Sequence, residues 1–566
     1  MKKLFIPLLY LLLAYTGHAQ YNTLQNTVWP MGLYSGVSFA TGIPMAISTA
    51  IEAAEGSAAV CDAEGSLLFY TEGRTIWDRT HTIMLGGDSV CPNACFSNMQ
   101  GAAIAPVLNY GPGSGPRQYY VFSIYSLEYV LDDTSGLKLY YSIVDMDLNG
   151  GLGGVVPGMS RIYMASRMCE KMITIPGDSC DLWLLVHRME EPVFYAYHIT
   201  ACGLDPTPVV SVAGDRTGWF AYGGGIMKAS PDRHRLAVCN FTSSTSTISW
   251  SPVDTTQIGT ELFDFDPATG RVSNAVSICR GKRDMYTEFS PDNSKLYVTS
   301  MLGTLPDTGV LWQYDVTDTA AIQATKYMVA RAGGTTHSRD MRLGADGKVY
   351  VCESVPAGYL NCIAAPNAAG AACTYMPNVL TSLPASSFIW GITNLYNAPI
   401  TIPEDTTIST TDTTICFYDT DTVLLTAPFT GCVRWYDGSS LPTHVAIGEG
   451  QYSLTSVEGC LVRRHTFNVI AAPLPCIETG IGAVDMYTDM TLYPQPATDA
   501  CVLRSGKPLP AGAEATVYDM TGRAVANIAL AGTHTTIPLG HLPAGVYQVR
   551  IQAAGTVILR KMAVLH

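Results

Sequence analysis

An acidic loop in the first third of the chain has the spacing closest to that of a metal site. Asp145, Asp147 and Asn149 stand at alternate positions and are followed by Gly150, which is the ligand pattern of the first half of a calcium-binding loop. The twelfth position of such a loop carries a bidentate glutamate, whereas here it is Val156. We therefore favour a turn in which these side chains cap backbone N–H groups. Calcium is the alternative, and no other metal or cofactor is predicted.

Two pairs of titratable residues could be interpreted as catalytic. Asp264 and Asp266 lie two positions apart on a predicted strand and would share one face, as glycosidase carboxylates can, but Asp266 also opens an ordinary Asp-Pro-Ala-Thr-Gly turn. His187 and His198 fall on predicted strands that flank one hairpin, so they could form a shared site; we favour histidines bonded to backbone groups. Because the sequence contains no G-x-S-x-G, H-E-x-x-H or P-loop motif, no catalytic residues are predicted.

The N-terminus has the pattern of a cleaved export signal. Lys2 and Lys3 precede an apolar run over residues 4–14, and Ala19 with the glycine two positions before it supplies the small residues that a signal peptidase needs. We expect cleavage between Ala19 and Gln20. The alternative, a membrane anchor, is disfavoured because the run is shorter than the roughly 20 residues that span a bilayer. No later segment of the sequence is apolar enough to span one.

Cysteines in an exported protein predict disulfides, and this chain has 16. Spacing alone leaves the connectivity open, and buried free thiols are the alternative for any named pair. The candidate pairings are Cys91 with Cys95, Cys169 with Cys180, some pair among Cys352, Cys362 and Cys373, Cys416 with Cys460, and Cys432 with Cys476.

The elements that would position these residues are predicted to be strands. A motif of alternating residues, a Pro-Asp or Ala-Asp turn and an apolar run occurs at 226–240, 286–300 and 341–354, and more weakly at 59–70. Each copy is typical of a β-hairpin. Hairpins repeating every 55 to 60 residues or so predict a chain of small antiparallel sheets, because one hairpin cannot bury its own apolar face.

The fold class predicted is all-β. Residues 20–399 fit a β-propeller of about seven blades, with an open solenoid as the alternative. The segments 26–29 and 388–395 are suitable partners for closing the ring. The net charge of −14, with no run of basic residues among the 33, disfavours a nucleic-acid partner.

Residues 400–478 are predicted to form a linker and an immunoglobulin-like β-sandwich. The linker is rich in Thr, Asp and Pro. Cys416, Trp435, Tyr452 and Cys460 follow in the order that such a module requires, with the tryptophan packed over a Cys416–Cys460 bridge.

The last segment, 479–566, reads as a second β-sandwich, and its motifs resemble the type A C-terminal sorting domain of the type IX secretion system. The matching stretches are TLYPQPATD, VYDMTGRAV, LPAGVYQVRI and the final basic-then-apolar strand. Gln495 replaces the asparagine usual in the first of them. The motif residues are Tyr493, Pro494, Pro496, Asp519, Gly522, Arg523, Gly545, Tyr547 and Lys561.

The earlier part of the chain has a resemblance of its own. Residues 55–81, 140–155, 181–200 and 261–276 resemble the N-terminal propeller of secreted bacterial proteins that carry adhesion-type β-sandwich modules. Together the two resemblances imply a protein that crosses the outer membrane through the type IX machinery and is attached to the cell surface or released. The propeller would bind a glycan, peptide or protein. The alternatives are a propeller hydrolase or lyase that acts on glycans or peptides, and a structural surface or gliding-associated component.

Overall fold

The computed structural model describes most of the chain after the export signal. The described residues are 23–53, 55–91, 98–108, 116–125, 137–215, 224–240, 259–280, 283–302, 308–331, 337–354, 359–381, 383, 391–399, 411–417, 422–471, 490–553 and 556–565. Within them, regular structure is β-strand apart from short 3-10 turns at Leu24–Asn26, Asn149–Gly151, Ile322–Thr325 and Gly370–Cys373. The predicted all-β class is confirmed. The chain divides into two compact units, Met1–Ala471 and Ala472–His566.

The first unit begins with antiparallel sheets that follow one another along the chain. The opening three-stranded sheet contains β1 (Val28–Met31), β2 (Leu33–Ser38) and β3 (Met45–Glu52), and the next contains β4 (Ala58–Cys61), β5 (Leu67–Thr71) and β6 (Ile76–Asp78). A nine-stranded sheet then contains β7 (Ala102–Pro106), β8 (Gln118–Ile124), β9 (Leu137–Asp145), β10 (Gly154–Val155), β11 (Ile162–Pro176), β12 (Leu182–Arg188), β13 (Val193–Thr200), β14 (Gly203–Leu204) and β15 (Val209–Val212). The long strand β11 pairs first with β9 and then with β12, so one strand joins two hairpin groups.

Three four-stranded sheets complete the series. The first contains β16 (Met227–Ala229), β17 (Arg235–Asn240), β18 (Gly259–Asp266) and β19 (Arg271–Arg280); the second, β20 (Arg283–Phe289), β21 (Lys295–Leu302), β22 (Thr308–Asp315) and β23 (Tyr327–Arg331); the third, β24 (His337–Leu343), β25 (Val349–Ser354), β26 (Leu360–Ile363) and β27 (Tyr375–Leu380). In each of them the strands are hydrogen-bonded in sequence order, which is the meander expected of a propeller blade.

The repeated turns predicted from the sequence do close hairpins. They join β4 to β5, β16 to β17, β20 to β21 and β24 to β25. The turn residue Arg233 has φ 70° and Asn293 has φ 64°. The turns also bond to neighbouring sheets, because the Asp232 backbone N–H donates to Asn293 Oδ1 of the next turn at 3.0 Å and the Asp292 N–H donates to Asn367 Oδ1 in the β26–β27 connection at 3.3 Å. The repeat therefore positions neighbouring sheets as well as closing each hairpin.

Neighbouring sheets share apolar cores, and the last sheet packs on the first. Trp29 of β1 lies edge-on to Tyr350 of β25, with ring centroids 6.0 Å apart, in a core that also contains Leu360 and Leu380. The ring is thereby closed, and the fold is propeller-like. Residues 388–390 of the predicted closing partner lie outside the described residues. In the described part, β1 pairs with β2, and the segment 391–399 is joined to the start of the chain by hydrogen bonds from Asn26 Nδ2 to the Tyr396 carbonyl at 2.9 Å and from the Thr393 hydroxyl to the Pro30 carbonyl at 2.6 Å.

The part of the first unit from 411 to 471, here called the Trp435 module, has two sheets around one core. One contains β28 (Thr411–Phe417), β30 (Cys432–Trp435), β32 (Gly450–Glu458) and β33 (Leu461–Ala471), and the other contains β29 (Thr422–Thr426) and β31 (Thr443–Ile447). The core includes Trp435, Leu454 and Phe467. Trp435 Nε1 donates to the Leu441 carbonyl at 2.9 Å.

Two disulfides join this module to the propeller-like ring, and they overturn several predicted pairings. Cys180 bonds to Cys460, and Cys202 bonds to Cys432. The pairings Cys416–Cys460, Cys169–Cys180 and Cys432–Cys476 are therefore wrong. The cysteines of the described residues that form no disulfide are Cys61, Cys169, Cys239, Cys279, Cys352, Cys362, Cys373 and Cys501. These include all three members of the cluster 352, 362 and 373, so the pair predicted among them is also wrong.

The wrong pairings have one physical cause. Two cysteines can bond only if they are close in space, and cysteines that are close in sequence need not be close in space when a module packs against a distant sheet. The observed pairs are 280 and 230 residues apart in sequence. Cys91 is also disulfide-bonded, while its predicted partner Cys95 lies outside the described residues. Cys476, the side chain of Cys416, Ala19 and Gln20 also lie outside the described residues.

The second unit also places two sheets around a common core. One contains β34 (Thr491–Tyr493), β35 (Ala500–Leu509) and β38 (Gly532–Pro538), and the other contains β36 (Glu514–Tyr518), β37 (Ala524–Ala529), β39 (Gly545–Ala553) and β40 (Thr556–Val564). The core side chains include Val517, Val549 and Met562. Alternate residues of β39 are buried and exposed, as expected for a sheet with one solvated face.

We predict that peptide mapping of the non-reduced secreted protein will recover peptides linking Cys180 to Cys460 and Cys202 to Cys432. Replacing Cys202 and Cys432 together by serine should lower the free energy of unfolding by about 2–5 kcal/mol, because the unfolded chain gains conformational freedom when this cross-link is lost. The measurement is chemical denaturation of the variant and the unaltered protein under the same non-reducing conditions. A peptide that links Cys416 to Cys460 would contradict the pairing.

Candidate functional site

The two histidines proposed as a shared site lie apart. In the β12–β13 hairpin, His187 is opposite Phe194 and His198 is opposite Trp183, at different ends of the ladder. His187 is buried, and burial followed by the charge of Lys171 lowers its pKa to about 3, so the imidazole is neutral. His198 contacts the Asp181 carboxylate and stacks on Trp183 with ring centroids 4.0 Å apart. Each histidine has its own structural partners.

Asp264 and Asp266 of β18 form local hydrogen bonds in and beside the β18–β19 turn. Asp266 accepts hydrogen bonds from the Ala268 N–H at 3.1 Å and from the Thr269 hydroxyl at 2.6 Å. Asp264 accepts one from Asn274 Nδ2 at 2.7 Å. Their arrangement matches the turn interpretation that the sequence favoured over a glycosidase pair.

The loop considered for calcium is engaged by protein donors. Asp145 accepts hydrogen bonds from Gln118 Nε2 and from the Asp147 N–H, both at 2.8 Å. Asp147 forms an ion pair with Arg117, and Asn149 begins a 3-10 turn. Among the described residues, no group of three or more His, Cys, Asp or Glu side chains could hold a metal. Asp145 therefore caps a backbone N–H group, as the favoured turn interpretation expects, whereas the Asp147 carboxylate pairs with an arginine side chain.

The centre of the ring contains a cluster of buried charges that sequence reasoning missed. Lys228 Nζ lies 3.3 Å from Glu288 Oε2 and 3.7 Å from Asp340 Oδ1, and it donates to the Met341 carbonyl at 3.0 Å. Arg342 Nη2 lies 3.7 Å from Asp340 Oδ2. These four charged side chains are all at most 7% exposed. Two cations and two anions therefore neutralise one another away from water.

The repeated hairpin motif contains a sequence pattern that could have identified three residues of this cluster. Lys228, Glu288 and Arg342 occupy the same position in their copies of the hairpin motif, two residues before the serine or glycine that opens the turn. A charged residue at the same position of each copy indicates a common environment. In a ring of equivalent strands that environment is the central channel.

The segment 391–397 fills the channel and bonds to the inner strands. Asn394 Nδ2 donates to the Ala102 carbonyl at 2.8 Å, and its Oδ1 accepts from Arg342 Nη2 at 3.2 Å and Gln100 Nε2 at 3.3 Å. The Asn394 N–H donates to the Ser57 carbonyl at 2.7 Å. The cavity that remains beside these residues measures about 80 Å³. Such a space holds a few waters and is too small for most organic ligands.

A much larger cleft lies between the ring and the Trp435 module. Its volume is about 930 Å³, near the upper end of the range typical of ligand sites. The ring side is formed by Val107, Leu108, Gln118, Tyr120 and residues 201–203. The module side includes residues of β30, β32 and β33 and the residue that follows β30, among them Arg434, Tyr436, Ser453, Thr455, Arg464 and Thr466. The Cys202–Cys432 disulfide is part of the lining and joins the two sides.

In the second unit, the first sorting motif is anchored to the last strand. Gln495 Oε1 accepts a hydrogen bond from the Ala563 N–H at 2.9 Å, and the Ala497 N–H donates to the Ala563 carbonyl at 2.8 Å. Tyr493 lies on β34, and Pro494 and Pro496 follow it. The glutamine that departs from the usual motif residue thus provides an acceptor for β40.

The other motif residues close turns or lie on the adjoining strands. Asp519 Oδ1 accepts from the Thr521 and Arg523 backbone N–H groups at 2.9 and 3.0 Å, and Gly522 has φ 81°, which glycine adopts at little cost. Tyr547, two residues after Gly545, donates its hydroxyl to the Pro543 carbonyl at 2.7 Å. Lys561 is opposite Gln548 in the β39–β40 ladder.

Comparison with known families agrees with this geometry. Residues 491–565 match the family described as the secretion system C-terminal sorting domain. The C-terminal unit is a sorting domain. The protein is therefore secreted through the type IX system to the cell surface or the extracellular space, and the sorting domain implies an interaction with that machinery. The described residues include no helix with the length and apolar character needed to span a membrane.

The rest of the chain has only distant likenesses. No curated protein matches the chain. A provisionally assigned 6-phosphogluconolactonase from Bacteroides fragilis is 10% identical over 65% of this chain and 98% of its own, with a TM-score of 0.37. The periplasmic gluconolactonase PpgL of Pseudomonas aeruginosa is 13% identical over 66% and 95%, with a TM-score of 0.23. Hydrazine synthase of Kuenenia stuttgartiensis is 12% identical over 60% and 95%, with a TM-score of 0.32.

We predict that Lys228→Met will lower the free energy of unfolding by about 3–5 kcal/mol, because it leaves Glu288 and Asp340 buried without their shared cation. Chemical denaturation of the secreted protein measures the effect. The matched control is Lys348→Met, since that lysine pairs with Asp346 at 2.8 Å but is 41% exposed, and an exposed pair contributes about 0–1 kcal/mol. Equal losses for the two variants would contradict the buried-cluster account.

We also predict that deletion of residues 484–566 will abolish appearance of the protein outside the cell in a host with type IX machinery. The truncated protein should accumulate in the periplasm, because it lacks the sorting domain. Fractionation and immunodetection measure its location. The matched control is the full chain expressed from the same promoter. Normal surface or extracellular levels of the truncated protein would contradict the export role of this unit.

Proposed function

We propose that this protein is an exported binding protein whose propeller-like ring and Trp435 module together hold a ligand outside the cell. The observation that carries the proposal is the cleft of about 930 Å³ between them. Its size, its mixture of aromatic and polar side chains and its position between two packed modules are features common to ligand sites. The cavity at the channel centre, by contrast, measures only about 80 Å³.

Within this proposal, the chain is organised as a signal peptide over 1–19, a seven-bladed propeller over 20–399, an immunoglobulin-like module with its linker over 400–478 and the sorting domain over 479–566. The sheet order supports seven blades, because two three-stranded sheets, two hairpin groups sharing β11 and three four-stranded sheets succeed one another. Adhesion to a glycan, peptide or protein is the role that we assign to the exported part, whether it remains attached to the surface or is released.

An enzyme is the second candidate, and one observation favours it. The channel cluster links Glu288, Lys228, Asp340 and Arg342 in a chain of ion pairs 3.3 to 3.7 Å long, and converging titratable groups are a mark of active sites. However, Glu288 Oε2 also accepts from the Leu343 N–H, and Asp340 Oδ2 accepts from the Ile392 N–H. Because these acceptors are bonded within the fold, we favour a structural role for the cluster. A purely structural surface or gliding component would not need a polar cleft.

We predict that the full secreted protein will bind members of a glycan and peptide array, and that Thr455→Trp will abolish this binding. Thr455 lines the cleft, and an indole there would occupy the ligand space. The matched control is Thr426→Trp, an exposed position on β29 in the other sheet of the same module, which should bind as the unaltered protein does. Retention of binding by the Thr455→Trp variant would show that the ligand binds outside the cleft.

A further inference from the structure

The chemistry of the cleft lining is unlike that of the protein as a whole. The chain has a net charge of −14, yet the described residues that line the cleft include Arg434 and Arg464 and no aspartate or glutamate. A concave site of one charge sign concentrates ligands of the opposite sign. The charged residues of the cleft lining are therefore cationic, although the protein as a whole is acidic.

The two arginines are placed on one face by strand register. Arg434 of β30 is opposite Thr455 of β32, and Thr455 is opposite Arg464 of β33. Residues directly opposite in a ladder project to the same face of the sheet. The two guanidinium groups therefore flank a hydroxyl, with their backbones two strand spacings apart, about 10 Å. That spacing suits two anionic groups on an extended ligand better than one small anion.

The cleft also provides groups that recognise hydroxylated rings. Ser453 and Thr466 are opposite each other beside Thr455 and Arg464 on the same face, so hydroxyl donors and acceptors lie next to the guanidinium groups. Tyr436 lines the cleft and is 58% exposed, which leaves much of its ring available for contact with the C–H face of a sugar.

We propose that the cleft binds an acidic oligosaccharide, with Arg434 and Arg464 pairing to carboxylate or sulfate groups on the sugars. This inference rests on the proposed binding function and names its ligand class. Arginine suits the role because its planar fork bonds a carboxylate or sulfate through two N–H groups at once. The hydroxyl groups and Tyr436 contact the neutral parts of the rings. An extended acidic sugar chain supplies both kinds of group at regular intervals.

The test compares saccharides that differ in charge alone. Isothermal titration of the full secreted protein uses oligogalacturonate, its methyl ester and a sulfated oligosaccharide of similar length. Oligogalacturonate or the sulfated sugar should bind, and the methyl ester should bind at least tenfold more weakly because it lacks the charges. Preference between the two acidic probes identifies the anionic group. Affinity of the acidic probe should fall as salt is raised from 0.05 to 0.5 M.

Substitutions locate the site. Arg434→Gln and Arg464→Gln should each weaken binding of the acidic probe by about tenfold to a hundredfold, since each removes a charge-assisted hydrogen bond. The matched control is Arg463→Gln. Arg463 neighbours Arg464 in sequence but pairs with Glu458 at 3.0 Å and lies over the Phe429 ring, away from the lining. Its affinity should equal that of the unaltered protein, and thermal melting verifies that all three variants are folded.

The outcomes separate this inference from the proposed function. Equal affinity for oligogalacturonate and its methyl ester, or binding unaffected by both cleft arginines, would overturn the acidic-sugar assignment. If the array instead yields peptides or neutral glycans that the Thr455→Trp variant no longer binds, the cleft remains a binding site and only its ligand class is wrong. If no saccharide or peptide binds the unaltered protein, the proposed function fails as well.

Discussion

The structure of the first unit depends on the hydrogen bonds with which residues 391–397 close the centre of the ring. Asn394 bonds to the Ser57 and Ala102 carbonyls, Gln100 and Arg342, so one side chain and its own N–H join strands from distant parts of the sequence. Buried polar groups are costly unless they are paired. The inner strands must therefore hold their register around this segment, and the charged cluster at Lys228 is stable only while the ring is closed. The same interactions leave little space in the channel, which is why the larger cleft elsewhere is the better candidate for binding.

The two disulfides have a different consequence, because they fix a small module against one side of this ring. A two-sheet module with a modest core gains stability from such bonds. They also make the cleft a feature of one compact unit, since Cys202–Cys432 joins its two sides. Transport is assigned to the sorting domain, which forms a separate compact unit, so export and binding can be altered independently.

Much of the fold was predictable from local patterns. The hairpin repeat, the all-β class and the sorting motifs all depend on residues near one another in sequence, and each is confirmed by the strands or by the family match. The turn roles of Asp145 and Asp266 were also readable, because Asp side chains bond backbone N–H groups within a few residues. The disulfides were not, because Cys180 and Cys460 are 280 residues apart. The cleft was not predictable either, because its two sides come from segments that are far apart in sequence.

The sequence by itself determined the strand repeat, the charge balance and the sorting motifs, since periodicity, composition and motif spacing are properties of short segments. It also contained Lys228, Glu288 and Arg342 at one repeat position, although their meaning emerges only in a closed ring. The tertiary structure alone decided which cysteines meet, how Asn394 closes the channel and that Arg434 and Arg464 face Tyr120 and Gln118 across a cleft. These are contacts between residues far apart along the chain, and they exist only after the apolar faces of the sheets have packed.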